Sequence, residues 1–276
     1  MAVSPFAQHL GYLHAFLRRL RSAQAATLFC GTLFFWAAPL TYTDVLSFPV
    51  LVVCLALGNL VFACGLLFDV LLLHDAEEQA AKAPAPVAAV LLARVHWRWT
   101  AFYFLVFATL LCVPATVLYV RAWQLGASPQ QLPAARGDAA ARALFSADLY
   151  FAVSTIIFFG AFSAQALDAS ITMHDVAVLM GAPPPGFDET HQILALIGFG
   201  LALISLGLTL QVLVSFGTTP PVAANAVAGL IATAGILSLT VGTGWYMLTE
   251  VRSFREEHRA KKGEGETEPL IAEKEG

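Results

Sequence analysis

The sequence predicts an all-α polytopic membrane protein: six transmembrane helices, both termini on the cytosolic (inner) side, and an amphipathic N-terminal helix in the membrane interface. Three observations carry this expectation. The 276 residues are 58% apolar and only 12% charged, against roughly 45–50% and 25% in a soluble domain. The apolar residues gather into six runs near the roughly 20 residues that a bilayer requires. The basic residues lie almost wholly on one side of those runs.

The runs are about Ala23–Leu40, Pro49–Leu73, Trp99–Val120, Leu149–Met173, Ile193–Gly217 and Ala223–Thr249. Prolines punctuate the connections, at Pro84 and Pro86, Pro129 and Pro133, Pro183 to Pro185, and Pro220 and Pro221. An even number of spans returns the chain to its starting side. That side holds Arg18, Arg19, Arg21, Lys82, Arg94, Arg98, Arg252, Arg255, Arg259, Lys261, Lys262 and Lys274, twelve in all. The opposite loops hold three, Arg121, Arg136 and Arg142. Such an excess marks the cytosolic face, or the matrix or stroma of an organelle.

Three regions follow: residues 1–22, 23–250 and 251–276. In the first, "SPFAQHLGYLHAFLRRLRS", Phe6, Leu10, Leu13, Leu17 and Leu20 recur at steps of four and three, which is one helical face. His14, Arg18, Arg19 and Arg21 lie mostly off that face. This pattern suits a helix lying in the interface plane. Because no acid precedes Asp44, a mitochondrial transit peptide is the rival reading.

The second region holds the six spans. Two stretches in it echo one another, "GLLFDVLLLHD" (65–75) and "QALDASITMHD" (165–175). Each ends an apolar run in His-Asp, carries an acid a turn or more earlier, and is followed by Ala-Pro. The sixth run ends similarly, with Glu250 and His258. Three helix pairs of like orientation are a plausible origin, and parallel repeats occur in transport proteins.

The third region leaves the last span as a charged helix to about Lys262 and then turns Gly/Glu-rich, a composition typical of disorder. Within it, Glu266 precedes Leu270-Ile271 across three residues. This resembles the acidic dileucine sorting signals that clathrin adaptors read on lysosomal and vacuolar membrane proteins. The resemblance implies an endomembrane location, with a mitochondrial or other organellar membrane as the alternative.

Candidate functional residues are few. A lone carboxylate in an apolar helix is costly, so it usually faces the bundle interior or a wet cavity. Asp168 and Asp69 are such residues, and Gln165 and Asn59 extend a candidate transport path or proton relay. Four histidines, His74, His96, His174 and His191, cluster near the inner ends of the second to fifth spans. Imidazole and carboxylate are suitable ligands for haem iron or a divalent metal. The competing reading is that they are polar tips at helix ends, and no cofactor is predicted. Small residues form stripes on the last two spans: Gly198, Ala202 and Ser205 on the fifth, and Ala228, Gly235 and Gly242 on the sixth. Such stripes let helices approach closely, within the chain or in an oligomer.

Other classes find no footing. The net charge of −4 comes without a basic patch for nucleic acid. Cys30, Cys54, Cys64 and Cys112 lie in apolar runs without metal-site spacing. No nucleotide-binding or hydrolase motif occurs, so the chain leans away from enzymes. The sequence favours a small transporter or channel of an endomembrane. A non-catalytic accessory subunit of a membrane complex is the alternative, and a haem or metal oxidoreductase using the four histidines is the third reading.

The orientation is testable in sealed vesicles. Tags at the two termini should be digested from the same side, and a tag inserted after Gly126 should be protected on that side. Opposite accessibility of the two termini would exclude an even number of spans.

Overall fold

A computed structural model describes residues 21–43, 45–127, 138–181, 189–216 and 222–272. The described residues are all-helical apart from short turns. Helix α1 covers Arg21–Thr41 with a break at Trp36. It is followed by α2 (Phe48–Lys82), α3 (Ala85–Gln124), α4 (Ala139–Leu179), α5 (Glu189–Phe216) and α6 (Val222–Ala272). Each contains a segment long and apolar enough to cross a membrane. The N-terminal segment read as an interfacial helix lies, as far as residue 20, outside the described residues.

Proline and glycine set the helix boundaries. Pro39 cannot donate to the carbonyl four residues back, and the α1 break falls at Trp36, three residues before it. Ala83, which precedes Pro84, takes the extended conformation that proline imposes on its neighbour and ends α2. Helix α3 ends at Gly126 (φ 80°) and α4 at Gly181 (φ 66°), left-handed positions that favour glycine. At the start of α4, the Asp138 carboxylate accepts a 3.1 Å hydrogen bond from the Ala140 N–H.

Helices α2, α3 and α4 have 35, 40 and 41 residues. A 40-residue helix is about 60 Å long, twice the roughly 30 Å hydrocarbon core. All three therefore outrun the spans expected from hydropathy. The reason is local: "HDAEEQAAK" at the end of α2 and "PVAAVLLAR" at the start of α3 are rich in Ala, Leu, Glu and Gln, good helix formers in water as in lipid. Helix α6 likewise continues to Ala272, through the stretch read from its composition as a disordered tail.

Consecutive helices pack antiparallel, as their contact registers show. Asn59 and Glu77 of α2 bond to Thr116 and Trp99 of α3. On the next pair, Cys112 and Tyr119 of α3 face Ser154 and Asp148 of α4. Helix α1 closes the sequence by packing on both α2 and α6. Thr32 and Trp36 of α1 meet Thr243 and Thr240 of α6 at 3.2 and 3.0 Å. Phe62 of α2 lies against Gly31 of α1. The even helices thus end, and the odd helices after α1 begin, at the end of the bundle where α1 starts. We call this the basic end.

Two apolar cores meet at Phe35. One joins α1 to α4, around Phe48, Leu55, Tyr119 and Phe151; the other joins α5 to α6, around Ile197, Ile204 and Leu239. Phe35 packs against both, with ring centroids 5.6 Å from Phe62 and 6.0 Å from Phe151. Phe158 extends the aromatic group from Phe62 at 6.2 Å. The four rings form one aromatic group between α1, α2 and α4.

Backbone meets backbone between α5 and α6. A methyl group added at Gly200 would sit 2.6 Å from the Leu239 nitrogen, and one at Gly235 2.6 Å from the Ile204 nitrogen. Gly207 is equally close to Ala228 and Ala232, and Gly242 to Ile197. Gly235, Gly242 and the fully buried Ala228 thus lie in the contact. The stripe expected on α5 is corrected. Gly198 has nothing within 4 Å of an added methyl group, and Ala202 is only half-buried. Of that stripe, Ser205 alone is buried, and its hydroxyl finds no partner among the described residues. The contact face of α5 instead carries Gly200 and Gly207, a heptad apart. Of two interleaved stripes with similar spacing, the one through Gly200 and Gly207 meets α6.

Replacing Gly200 or Gly235 by Leu should therefore lower the thermal unfolding temperature sharply or prevent assembly, since overpacking costs about 1–3 kcal/mol even where neighbours can shift. Gly198→Leu should unfold within a few degrees of the parent protein. Equal behaviour of the Gly198 and Gly235 variants would contradict this register.

Candidate functional site

Among the described residues, the densest charge network inside the bundle lies at its basic end, between α3 and α4. Arg94 and Arg98 are one turn apart on α3, and Asp168 and Asp175 are two turns apart on α4, so each pair shares a helix face. Antiparallel packing brings the faces together. Arg94 Nη1 donates to Asp168 Oδ1 at 3.1 Å, and Arg98 Nε stands 3.5 Å from Asp168 Oδ2. The second guanidinium nitrogen of Arg94 lies 3.5 Å from Asp175 Oδ2.

Burial differs strongly across this network. The Asp168 side chain is 2% exposed, whereas Arg94, Arg98 and Asp175 are 34%, 31% and 40% exposed. Asp168 lies inside the fourth apolar run, which the sequence carries on to about Met173. An ionised carboxylate there needs a counter-charge, because desolvation without one is prohibitive. Two arginines supply it. Among the described residues Asp168 Oδ2 receives no hydrogen bond, and its pairing with Arg98 is an ionic contact. With all four groups ionised, two positive and two negative charges balance.

A groove of about 510 Å³ opens onto the network, lined by Ala89, Val90, Ala93, Arg94, Trp97 and Asp175. Arg94 thus has one face on the groove and another on the buried carboxylate. The groove walls are apolar, and its polar end is a guanidinium beside a carboxylate.

The remaining candidates are dispersed. Asp69 accepts a hydrogen bond from Gln24 Nε2 of α1, within a different helix pair from Asp168. Asn59 Nδ2 donates to Thr116 Oγ1 at 3.2 Å, a contact between α2 and α3. The Gln165 side chain lies outside the described residues. No contact joins Asp168, Asp69 and Asn59 into one path among the described residues.

Nor do the histidines converge. His74 is 79% exposed and 3.7 Å from Glu77. His96 turns its Nδ1 to the Leu92 carbonyl of its own helix at 2.8 Å, and His174 is exposed. His191 lines a separate apolar groove between α4 and α5, beside Phe162, Leu194 and Gly198. Among the described residues, no three His, Cys, Asp or Glu side chains are placed to share a metal ion. Glu266, Leu270 and Ile271 fall on the helical backbone of α6, with their side chains outside the described residues.

Two features escaped the reading of the sequence. Arg94 and Arg98 counted there only as topology signals, although their spacing of four already placed them on one face. Asp148 was set just outside the fourth span. It accepts a 2.6 Å hydrogen bond from the Tyr119 hydroxyl, and no residue near it in sequence signals that partner.

Compared with protein families, with characterised proteins and with solved structures, the chain matches none.

The network makes a stability prediction. Asp168→Asn should destabilise the protein by about 2–4 kcal/mol, somewhat less than the ~3–5 of a wholly buried pair, because both guanidinium groups reach solvent. Arg94→Gln should cost less, since Arg98 remains. In thermal unfolding of the single and double variants, the two effects should be non-additive by more than about 1 kcal/mol. Strict additivity would mean that the pair is not coupled.

Proposed function

We propose that the chain is a small membrane carrier whose charge site is the Asp168–Arg94–Arg98 cluster. One observation carries this reading: a carboxylate buried within an apolar span is shared by two arginines of a neighbouring helix, one of which also borders an open groove. Charges in such positions cost free energy, and proteins that retain them usually use them. A neutral, mutually paired cluster can be kept within the bundle, and it can be disturbed by a proton or an ion arriving through the groove.

In this reading the basic end faces the cytosol and the membrane is an endomembrane, with the Glu266, Leu270 and Ile271 motif acting in sorting. An adaptor that reads the motif as an extended strand would have to unwind the end of α6 first.

The alternative, an accessory subunit without transport of its own, draws support from a different observation. Phe35, Phe62, Phe151 and Phe158 pack together between α1, α2 and α4. Meanwhile α3 turns Tyr103, Phe107, Leu110, Val113 and Val117 outward as a long exposed apolar ridge, a surface that lipid or another membrane helix could cover.

Reconstitution separates the two. Proteoliposomes carrying a trapped pH dye and subjected to a pH step should show proton movement dependent on solute, and Asp168→Asn should reduce it at least tenfold. Flux unchanged in that variant would sink the charge-site reading. Copurification of a stoichiometric membrane partner, without flux for any solute tested, would favour the accessory subunit.

A further inference from the structure

The cluster also carries information about what could bind there. Arg94 divides its guanidinium between two carboxylates that are not equivalent. Asp168 is buried, meets Arg94 at 3.1 Å and is shared with Arg98. Asp175 is 40% exposed and meets Arg94 only at 3.5 Å, at the edge of the groove. The first is a fixed counter-ion and the second is a loose one. The remaining groove walls, Ala89, Val90, Ala93 and Trp97, are apolar.

We propose that the groove binds a monocarboxylate with an apolar body, whose carboxylate takes the place of Asp175 on Arg94 while Asp175 takes up a proton. This rests on the reading of the cluster as the charge site of a carrier, and it names the class of cargo. A guanidinium presents a planar fork that matches a carboxylate. The apolar body lies along Ala89, Val90 and Ala93, against the Trp97 ring. Charge sets the stoichiometry. The four ionised groups sum to zero, so adding one anion leaves an excess negative charge at the membrane boundary. One proton on Asp175 removes it, and the anion and proton enter together with the site neutral throughout.

Other titratable groups nearby are engaged elsewhere or face away. Glu77 of α2 accepts the Trp99 indole N–H at 2.7 Å. His191 of α5 lines the groove on the other face of α4. His174 is the exposed chain neighbour of Asp175, and His96 of α3 bonds its own helix.

Benzoate titrated into the full-length protein in phosphatidylcholine nanodiscs, followed by calorimetry, tests this separately from flux. Coupled proton uptake predicts binding at least tenfold tighter at pH 5.5 than at pH 7.5. Asp175→Asn, which supplies the neutral partner permanently, should bind benzoate tightly and equally at both pH values. Arg94→Gln should abolish binding, and its unfolding temperature, measured alongside, shows whether it is folded. Should it unfold, Arg94→Lys replaces it, since the charge remains but the fork is lost, and weaker binding is expected. Absence of binding by both the parent protein and Asp175→Asn would overturn the proposal, as would binding unaffected by the Arg94 changes. Inorganic phosphate displacing benzoate at equal concentration would overturn the carboxylate class in favour of a phosphate site. Benzoate binding without proton-coupled flux would leave the site standing and remove the carrier.

Discussion

Helices in a lipid bilayer gain nothing from hiding apolar side chains from one another, because the lipid is equally apolar. What remains to hold a bundle is close packing and polar contact across helices. The α5–α6 and α3–α4 interfaces are each built on one of the two. Between α5 and α6 the glycines bring main chains together, and dispersion over a long contact does the rest. Between α3 and α4 the contact is polar at three levels: Tyr119 with Asp148, Cys112 and Ser154 with the Ala108 carbonyl, and Arg94 and Arg98 with Asp168.

The polar contacts follow a pattern at the basic end. Each odd helix begins, and its even partner approaches its end, with a cross-helix clamp. Gln24 meets Asp69 in the first pair, the arginines meet Asp168 in the second, and Glu189 meets Trp245 and Thr249 in the third. The clamps close the hairpins opposite their turns. Only the second pairs full charges of opposite sign; Asp69 and Glu189 meet neutral donors.

The spans were legible in the sequence because hydropathy reports the solvent directly: a helix that must lie in lipid has no other composition open to it. Helix ends were not, since "HDAEEQAAK" continues as helix for reasons that hydropathy does not weigh. Asp168 stood out as an acid in an apolar helix, but its partners lie 74 and 70 positions away in sequence. Only the register of α3 against α4 reveals them. The same limit explains Gly198 and Gly200. Two small-residue stripes two positions apart on one helix satisfy the same spacing rule, and the choice between them is made by the partner helix. The histidines were drawn together by their shared depth. Rotation about each helix axis, which depth does not encode, separates them.

Helix α3 contains Pro114, well inside its length. Proline removes one main-chain hydrogen bond and weakens the rod there. Nearby, the Ala108 carbonyl is held by Ser154 Oγ of α4 at 2.7 Å and the Cys112 carbonyl by Thr116 Oγ1 at 2.8 Å. Arg94 lies twenty residues from Pro114, a lever arm of about 30 Å. A bend of about 10° at that pivot would swing the guanidinium by about 5 Å, on the basis of a rise of about 1.5 Å per residue. That is more than the whole difference between gripping Asp168 and releasing it. Any bend at Pro114 would thus be felt most at the far end of α3, about 30 Å away, where Arg94 stands.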